Sequence, residues 1–396
     1  MKYIVIVVIL IFSLPVSASV GIEEQILSNN KALQASKNKM EADILNLRSE
    51  NNLSDPEVEM SYIFTKPERT MELSVTESVD WPGLYSARKK YIGHQITAFQ
   101  YMYMEEYLGL SLQVRNLLND LIDTNKRIAL TKKILAEEEK LLELYEKNLD
   151  NSSFTIIEVN KLKLEIFENK TQFKALVVKK NSIKQDLKAL NDGNELQGFG
   201  LDETSYEDFK LQGVDSYISD YLDYSPEQKI AEQQKLSGKQ GVSVAKLSGL
   251  PGFTFGYSYK NEGGEKGHGF VLGMSIPIFS NRHKRNSAKA EFIANSLSEQ
   301  NAGLMAEANI RSVYNAILSQ QEQAEEYASI VENPEYYSIL RKSLDCGQIT
   351  LRDYIIELRD LALATEKLYD MEYDCQNKFA ELSKYEVLKD ANLFSR

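Results

Sequence analysis

The chain has 396 residues, 43% of them hydrophobic and 26% charged, with 58 acidic against 46 basic side chains and a net charge of −12. That is the composition of a folded protein with length for two or three ordinary domains or one elongated fold, and its acidity argues against nucleic acid as a partner. Three histidines, two cysteines and the lack of a GxSxG elbow, phosphate loop or HExxH pattern point away from an enzyme, a cofactor or a metal site.

Residues 1–18, MKYIVIVVILIFSLPVSA, combine Lys2, an apolar run from Ile4 to Leu14 and the small residues Val16, Ser17 and Ala18. They read as a secretory signal peptide, because the apolar run is too short to span a bilayer. No later run is long enough for a membrane helix, so any membrane contact must come from strands. The first half of the mature chain, 19–190, opens with helical spacing over 20–52, where Ile22, Ile26, Leu33, Met40, Ile44 and Leu47 form one stripe. A strand pair follows at 57–79, with Val58, Met60, Tyr62 and Phe64 and then Met71, Leu73 and Val75 alternating with polar residues across a KPER turn. Trp81-Pro82-Gly83 ends the pair. From Leu84 to about Asp150 there is no proline, and the rhythm predicts one helix of roughly 100 Å, which must pack on other long helices. LDNSSFT, 149–155, reverses the chain, and a second helix returns to about Leu190.

Residues 191–224 are rich in glycine, acid and tyrosine. They form either a linker or a small collar, and the need to bury their aromatics favours the collar. Ser225-Pro226-Glu227 starts the second half, 225–390, as a capping serine followed by a first-turn proline. That helix leads to a second strand pair, 251–279, in which Phe253, Phe255, Tyr257 and Tyr259, then Phe270, Leu272, Met274, Ile276 and Ile278, alternate with small or polar residues around the loop NEGGEKGHG. One apolar, partly aromatic face and one small, polar face over about ten residues is the pattern of a tilted bilayer-spanning strand; a half-buried hairpin of a soluble sheet shares it. The basic cluster Arg282, His283, Lys284 and Arg285 reads as a membrane-surface anchor below the strands. A helix over 284–332 stops at Asn333-Pro334, a last helix pair turns at 344–350 and ends near Leu388, and 391–396 form a tail. Cys346 and Cys375 read as lying on one helix, roughly 40 Å apart, which excludes a disulfide.

The order helix, two strands, long helix, reversal, helix thus occurs twice. Leu149, Asp150 and Thr155 of the first reversal correspond to Leu344, Asp345 and Thr350 of the second, and Lys147 to Lys342; Arg88 and Arg285 correspond at the strand exits. Four strands cannot close a barrel, and an unpaired edge cannot face lipid, so inserted strands require several copies. With this layout, the Ser-Pro-Glu helix start at 225–227, LPGFTFGYSY at 250–259, SIPIFSNRHKRNSAKAE at 275–291 and LDCGQITLRDYIIELRDLALATEKLYD at 344–370, the chain resembles the TolC-like outer membrane efflux protein family over nearly its whole mature length. The first reversal departs from the pattern, with Ser152 where the second has Gly347.

The resemblance implies a mainly α fold with a transmembrane β part: a homotrimer in outer membrane lipid, four strands per chain in a shared twelve-stranded barrel, and duplicated long helical hairpins forming an α-barrel tunnel into the periplasm. It implies the exit duct of a tripartite efflux or type I secretion system of a Gram-negative bacterium, working with a periplasmic adaptor and an inner membrane transporter of RND, ABC or MFS class. Asp353 matches the acidic position lining the family's narrowest point; Glu357 follows one turn later, and Glu158 holds the equivalent place in the first repeat. Arg352 and Arg359 are candidate gate partners. Solvated helix surface is the plainer reading of these acids. The tips, Asn151 and Ser152, Gly347 and Gln348, would dock the adaptor, and Trp81, Phe253, Tyr257, Tyr259 and Phe279 would anchor the membrane interface. The competing function is a periplasmic coiled-coil scaffold or adaptor that never inserts, although an adaptor would usually carry one helical hairpin and a lipoyl-like domain.

Overall fold

The computed structural model describes residues 18–64, 69–147, 156–196, 201–331 and 335–390. The expected leader up to Ser17, the KPER turn up to Glu68, the first reversal with Asn151 and Ser152, Asn333-Pro334 and the 391–396 tail lie outside them. In chain order the elements are α1 (Ala18–Asn29), α2 (Lys31–Ser49), β1 (Glu57–Phe64), β2 (Arg69–Val79), α3 (Pro82–Lys147), α4 (Ile156–Leu190), α5 (Val214–Tyr224), α6 (Pro226–Leu247), β3 (Gly252–Glu262), β4 (Glu265–Ser275), α7 (Lys284–Val331), α8 (Tyr336–Asp345), α9 (Leu351–Leu382) and α10 (Glu386–Asp390). Both strand pairs therefore stand where period-two alternation placed them, each followed by a long helix. The 66 residues of α3 correspond to about 100 Å of helix. Ser225 caps α6 as its sequence position implies, accepting from the Gln228 N–H, with Pro226 in the first turn.

Five details differ from the sequence reading. The opening helical stretch breaks at Asn30, whose Oδ1 accepts from the Leu33 N–H at 2.9 Å and so caps α2, while its Nδ2 donates to the Leu190 carbonyl. The β3–β4 connection is a two-residue turn rather than a long loop. Gly263 and Gly264 both take positive φ, 59° and 100°, which lets the strands continue through charged residues up to the Glu262–Glu265 pair. At its other end β4 stops at Ser275, short of Phe279: Pro277 has no N–H to donate to a ladder, and Ile278 turns back to the Ile276 carbonyl at 2.9 Å. The last long helix ends at Leu382, before the expected Leu388, with α10 added as a separate short turn. Finally, the two cysteines do not share a helix, since Cys346 caps the end of α8, exposed, while Cys375 is buried in α9.

The chain divides into two compact units. One comprises Gln34–Glu106 and Ile218–Asn309 and contains the sheet. Its four strands run in the order β1-β2-β3-β4, all antiparallel. Directly opposed residues share a face, so the pairs Val58↔Val75, Val75↔Tyr257 and Tyr257↔Phe270 continue one apolar row across all four strands. The opposite face is carried by Ser61, Glu72, Ser74, Thr76, Thr254, Gly256, Ser258, Gly269 and Gly273. Gly256 has no room for anything larger: a Cβ there would meet the Val75 carbonyl at 2.5 Å.

The other unit comprises the chain up to Leu33 with Tyr107–Tyr217 and Ile310–Ala391. It has two cores. In one, Ile22 and Ile26 of α1 pack with Val114, Leu118 and Leu121 of α3 and with Ile183 and Leu187 of α4. In the other, α3, α4, α8 and α9 converge through Leu130, Ile134, Leu141, Tyr145, Val159, Leu162, Ile166, Leu340, Leu351, Tyr354, Ile355 and Leu358. The irregular stretch between α4 and α5 is tied down. Asn125 donates to the carbonyls of Leu201 and Glu203, and Phe209 stacks on Phe379 with ring centroids 3.9 Å apart.

Candidate functional site

The turn from α8 into α9 is built from backbone chemistry. After Cys346, Gly347 adopts φ 68°, a left-handed conformation that costs glycine nothing. Its N–H bonds to the Leu344 carbonyl at 3.0 Å and the Gln348 N–H to the Ser343 carbonyl at 2.8 Å, the paired bonds of a Schellman ending. Thr350 then opens α9. Its Oγ1 accepts from the Asp353 N–H at 3.2 Å, while the Asp353 carboxylate accepts from the Thr350 hydroxyl at 2.7 Å and the Thr350 N–H at 3.3 Å. Asp353 is therefore both an exposed acid and half of a capping box. Those two Thr350 bonds hold its carboxyl below the ordinary aspartate range, with a smaller pull from Arg352.

Beyond the cap, α9 buries Leu351, Tyr354, Ile355 and Leu358 and leaves Asp353, Glu357 and Asp360 exposed on one stripe. The sequence reading named the first two acids and missed the third, which spacing of four and then three residues would have found. Tyr336, in the first turn of α8, donates to Glu357 at 3.0 Å; no sequence signal marks that pair. Of the candidate gate partners, Arg359 lies 3.6 Å from Asp360, the third acid of the stripe, and Arg352 lines a cleft of about 250 Å³ with Ile157, Glu158, Lys161 and Ile355. The cleft brings Glu158 of the first repeat and Arg352 of the second to one place, joining α4 to α9. Of the docking tips, Gly347 and Gln348 form the turn just described, whereas Asn151 and Ser152 lie outside the described residues.

The same four-helix core holds a buried acid that the sequence did not advertise. Glu138 of α3 is 2% exposed, and both its oxygens accept from Asn169 Nδ2 of α4 at 2.9 Å. Burial pushes its pKa up to about 7, against the Asn169 bond, with Glu165 and Glu139 adding to the rise.

In the sheet unit the apolar face is open to its surroundings. Phe64 is 81% exposed, Phe270 87% and Leu272 78%, and an apolar patch of this extent marks an interaction surface. Trp81 and Phe253 lie 6.2 Å apart where β2 ends and β3 begins. Phe279 stands 87% exposed just beyond β4. Tyr257 and Tyr259 lie further along β3, where His268 of β4 is opposite Tyr259 and bonds the Tyr257 hydroxyl. Among the described residues β1 and β4 each pair on one side only, so the sheet carries two open edges.

Among the described residues no group of histidine, cysteine, aspartate or glutamate has the arrangement of a metal site, and no helix is long and apolar enough to cross a membrane. At the level of sequence, no family model and no curated protein matches the chain. Solved structures do. The outer-membrane channel OprN shares 13% identity over 93% of this chain and 89% of its own, with a TM-score of 0.76. The outer membrane protein VceC of Vibrio cholerae shares 14% over 93% and 95%, with a TM-score of 0.74. The CmeC outer membrane channel of Campylobacter jejuni shares 17% over 93% and 85%, with a TM-score of 0.69. With its long helices, its four antiparallel strands and a likeness that runs along nearly the whole chain, the protein has the fold of the TolC-like outer membrane channels.

Proposed function

We propose that the chain is an outer membrane channel of a Gram-negative bacterium, the passive exit duct of a tripartite efflux or type I secretion system. The observation that carries this reading is a four-stranded sheet whose apolar face is exposed and whose two outer strands lack neighbours, within a fold shared by outer membrane channels. In lipid such edges must be paired, and three copies joined edge to edge form a twelve-stranded barrel. Its apolar rows then face hydrocarbon, and the serine, threonine and glycine face lines water. Transport through it is diffusion, without covalent chemistry, and the energy comes from an inner membrane transporter of RND, ABC or MFS class reached through a periplasmic adaptor.

The gate belongs to the exposed stripe of α9. Three copies of Asp353 and Glu357, with Glu158 beside Arg352, form an acidic ring that favours cations. The turn at Gly347 and Gln348, with Asn151 and Ser152, is the docking surface for the adaptor. The test is a planar bilayer. Purified protein should migrate as a heat-modifiable trimer and conduct small, cation-selective currents; Asp353→Asn with Glu357→Gln, which removes charge but keeps hydrogen-bonding capacity, should raise conductance and weaken block by divalent cations. Unchanged currents would remove the gate assignment. A chain that fractionates with the periplasm as a soluble monomer would remove the channel itself.

A further inference from the structure

The sheet unit holds a cavity of about 430 Å³ between the end of α2 and the start of α3, lined by Arg48, Asn51, Asn52 and Lys89 with Ile92 and Ile96 behind them. No carboxylate lines it. Among the described residues neither Arg48 nor Lys89 makes an ion pair or side-chain hydrogen bond, whereas the neighbouring Arg88 is held by Asp80 at 2.8 Å. Asn51 donates to the Tyr85 carbonyl at 3.2 Å, pinning the chain after α2 onto the first turn of α3. Gly93, also in the lining, sits inside a helix where nothing lies within 4 Å of an added Cβ. Its cost to the helix has no packing reason, and what it leaves is room.

Part of the surrounding chain is free of acids. Although the chain is acidic overall, 81–104, 233–261 and 266–290 contain no aspartate or glutamate. These segments cover the start of α3, the end of α6, most of β3 and β4 and the start of α7, whereas α2 and its exit carry Glu41, Asp43, Glu50 and Asp55. Lys89 is seven residues beyond Pro82, about 10 Å along the helix, and helical side chains lean toward the N-terminus. A lipid headgroup layer extends roughly 5–8 Å beyond the hydrocarbon, so the two cations meet it.

We infer that this cavity binds a phosphate group, with Arg48 and Lys89 as its cations and the Asn51 and Asn52 amides as neutral neighbours, and that in the membrane the phosphate is that of a phospholipid headgroup. An arginine fork and a lysine point charge from two elements, with no competing acid, suit a phosphodiester. The inference rests on the reading of the chain as a membrane-inserted channel.

Native mass spectrometry of the detergent-solubilised protein tests it, with phosphatidylglycerol and a phosphate-free galactolipid offered in parallel. The wild-type chain should retain phosphatidylglycerol over galactolipid; Arg48→Gln with Lys89→Gln should weaken retention about thirtyfold, the loss of two cations near anionic lipid. Gly93→Leu, which fills the cavity without altering charge, should weaken it too. Displacement of the lipid by millimolar inorganic phosphate supports the cavity with free phosphate as its ligand, and resistance to displacement supports the lipid. Equal lipid retention by variants that still insert and conduct overturns this inference alone. Loss of the trimer in the double variant overturns it by making these residues a subunit contact. A wild-type chain that never inserts overturns the channel reading along with it.

Discussion

At the entry to α9, the Asp353 carboxylate closes the helix start with Thr350 while standing exposed at the head of an acidic stripe. Substituting Thr350 by alanine should lower stability by about 1 kcal/mol, the usual cost of a lost cap, measured by chemical denaturation. Because the folded Asp353 carboxyl sits below its ordinary range, it favours the fold at neutral pH, and that contribution fades as pH drops through the lowered value. Glu138 has the opposite sign. Its folded pKa, raised to about 7, means the fold holds a proton that the unfolded chain has released, so stability falls as pH climbs from the ordinary glutamate value to about 7 and is flat above it. Glu138→Gln should abolish that slope and stabilise the protein at pH 8 by on the order of 2–3 kcal/mol. A denaturation midpoint that falls with pH equally in both proteins would show that the acid is not the source. The cap is a local pattern, Thr350-x-x-Asp353, which the sequence carries but which the reading of Asp353 as a gate acid passed over. The Tyr336–Glu357 and Glu138–Asn169 bonds leave no such mark in the sequence, since they join residues on different helices that only the folded packing brings together.

Among the elements, the long helices and strand pairs were readable because each follows one period for many residues, and a period repeated over ten or more positions outweighs any single odd residue. What failed were the ends. The stretch NEGGEKGHG, 261–269, read as loop, yet two consecutive glycines with positive φ make a tighter turn and carry Asn261 and Glu262, then Glu265 to Gly269, into the strands. The cysteines were assigned to one helix although the turn at 344–350 already separates them: Cys346 ends α8, and Cys375 lies in α9 beyond the reversal. Where α3, α4, α8 and α9 meet, Leu162 is fully buried, and Leu162→Ala should cost about 3–5 kcal/mol, read from loss of helical circular dichroism in urea. A cost below 1 kcal/mol would mean that the four helices do not pack as one core. The resemblance to outer membrane efflux proteins was visible in the order of elements and in dispersed motifs, although no family model matches the sequence, because here the layout is retained where residue identity is not.

For the molecule as a whole, the two faces of the sheet make opposite demands. Phe270→Arg places a charge on the apolar face, where a barrel strand in lipid loses about 2–4 kcal/mol per copy near the bilayer centre, and should abolish the heat-modifiable trimer. Ser74→Lys, on the small and polar face, should leave the trimer intact and reduce cation selectivity in planar bilayers. Trimers that survive the first change and vanish with the second would turn the barrel inside out. The hairpin closed by Gly263 and Gly264 has a practical consequence for such a barrel. If the chain is the proposed outer membrane channel, only the two-residue turn of this hairpin and the charged strand ends beside it, Lys260 to Glu262 and Glu265 to His268, rise above the lipid there, a small foothold for antibodies and phages, and an epitope inserted between those glycines would make the cell surface visible to both.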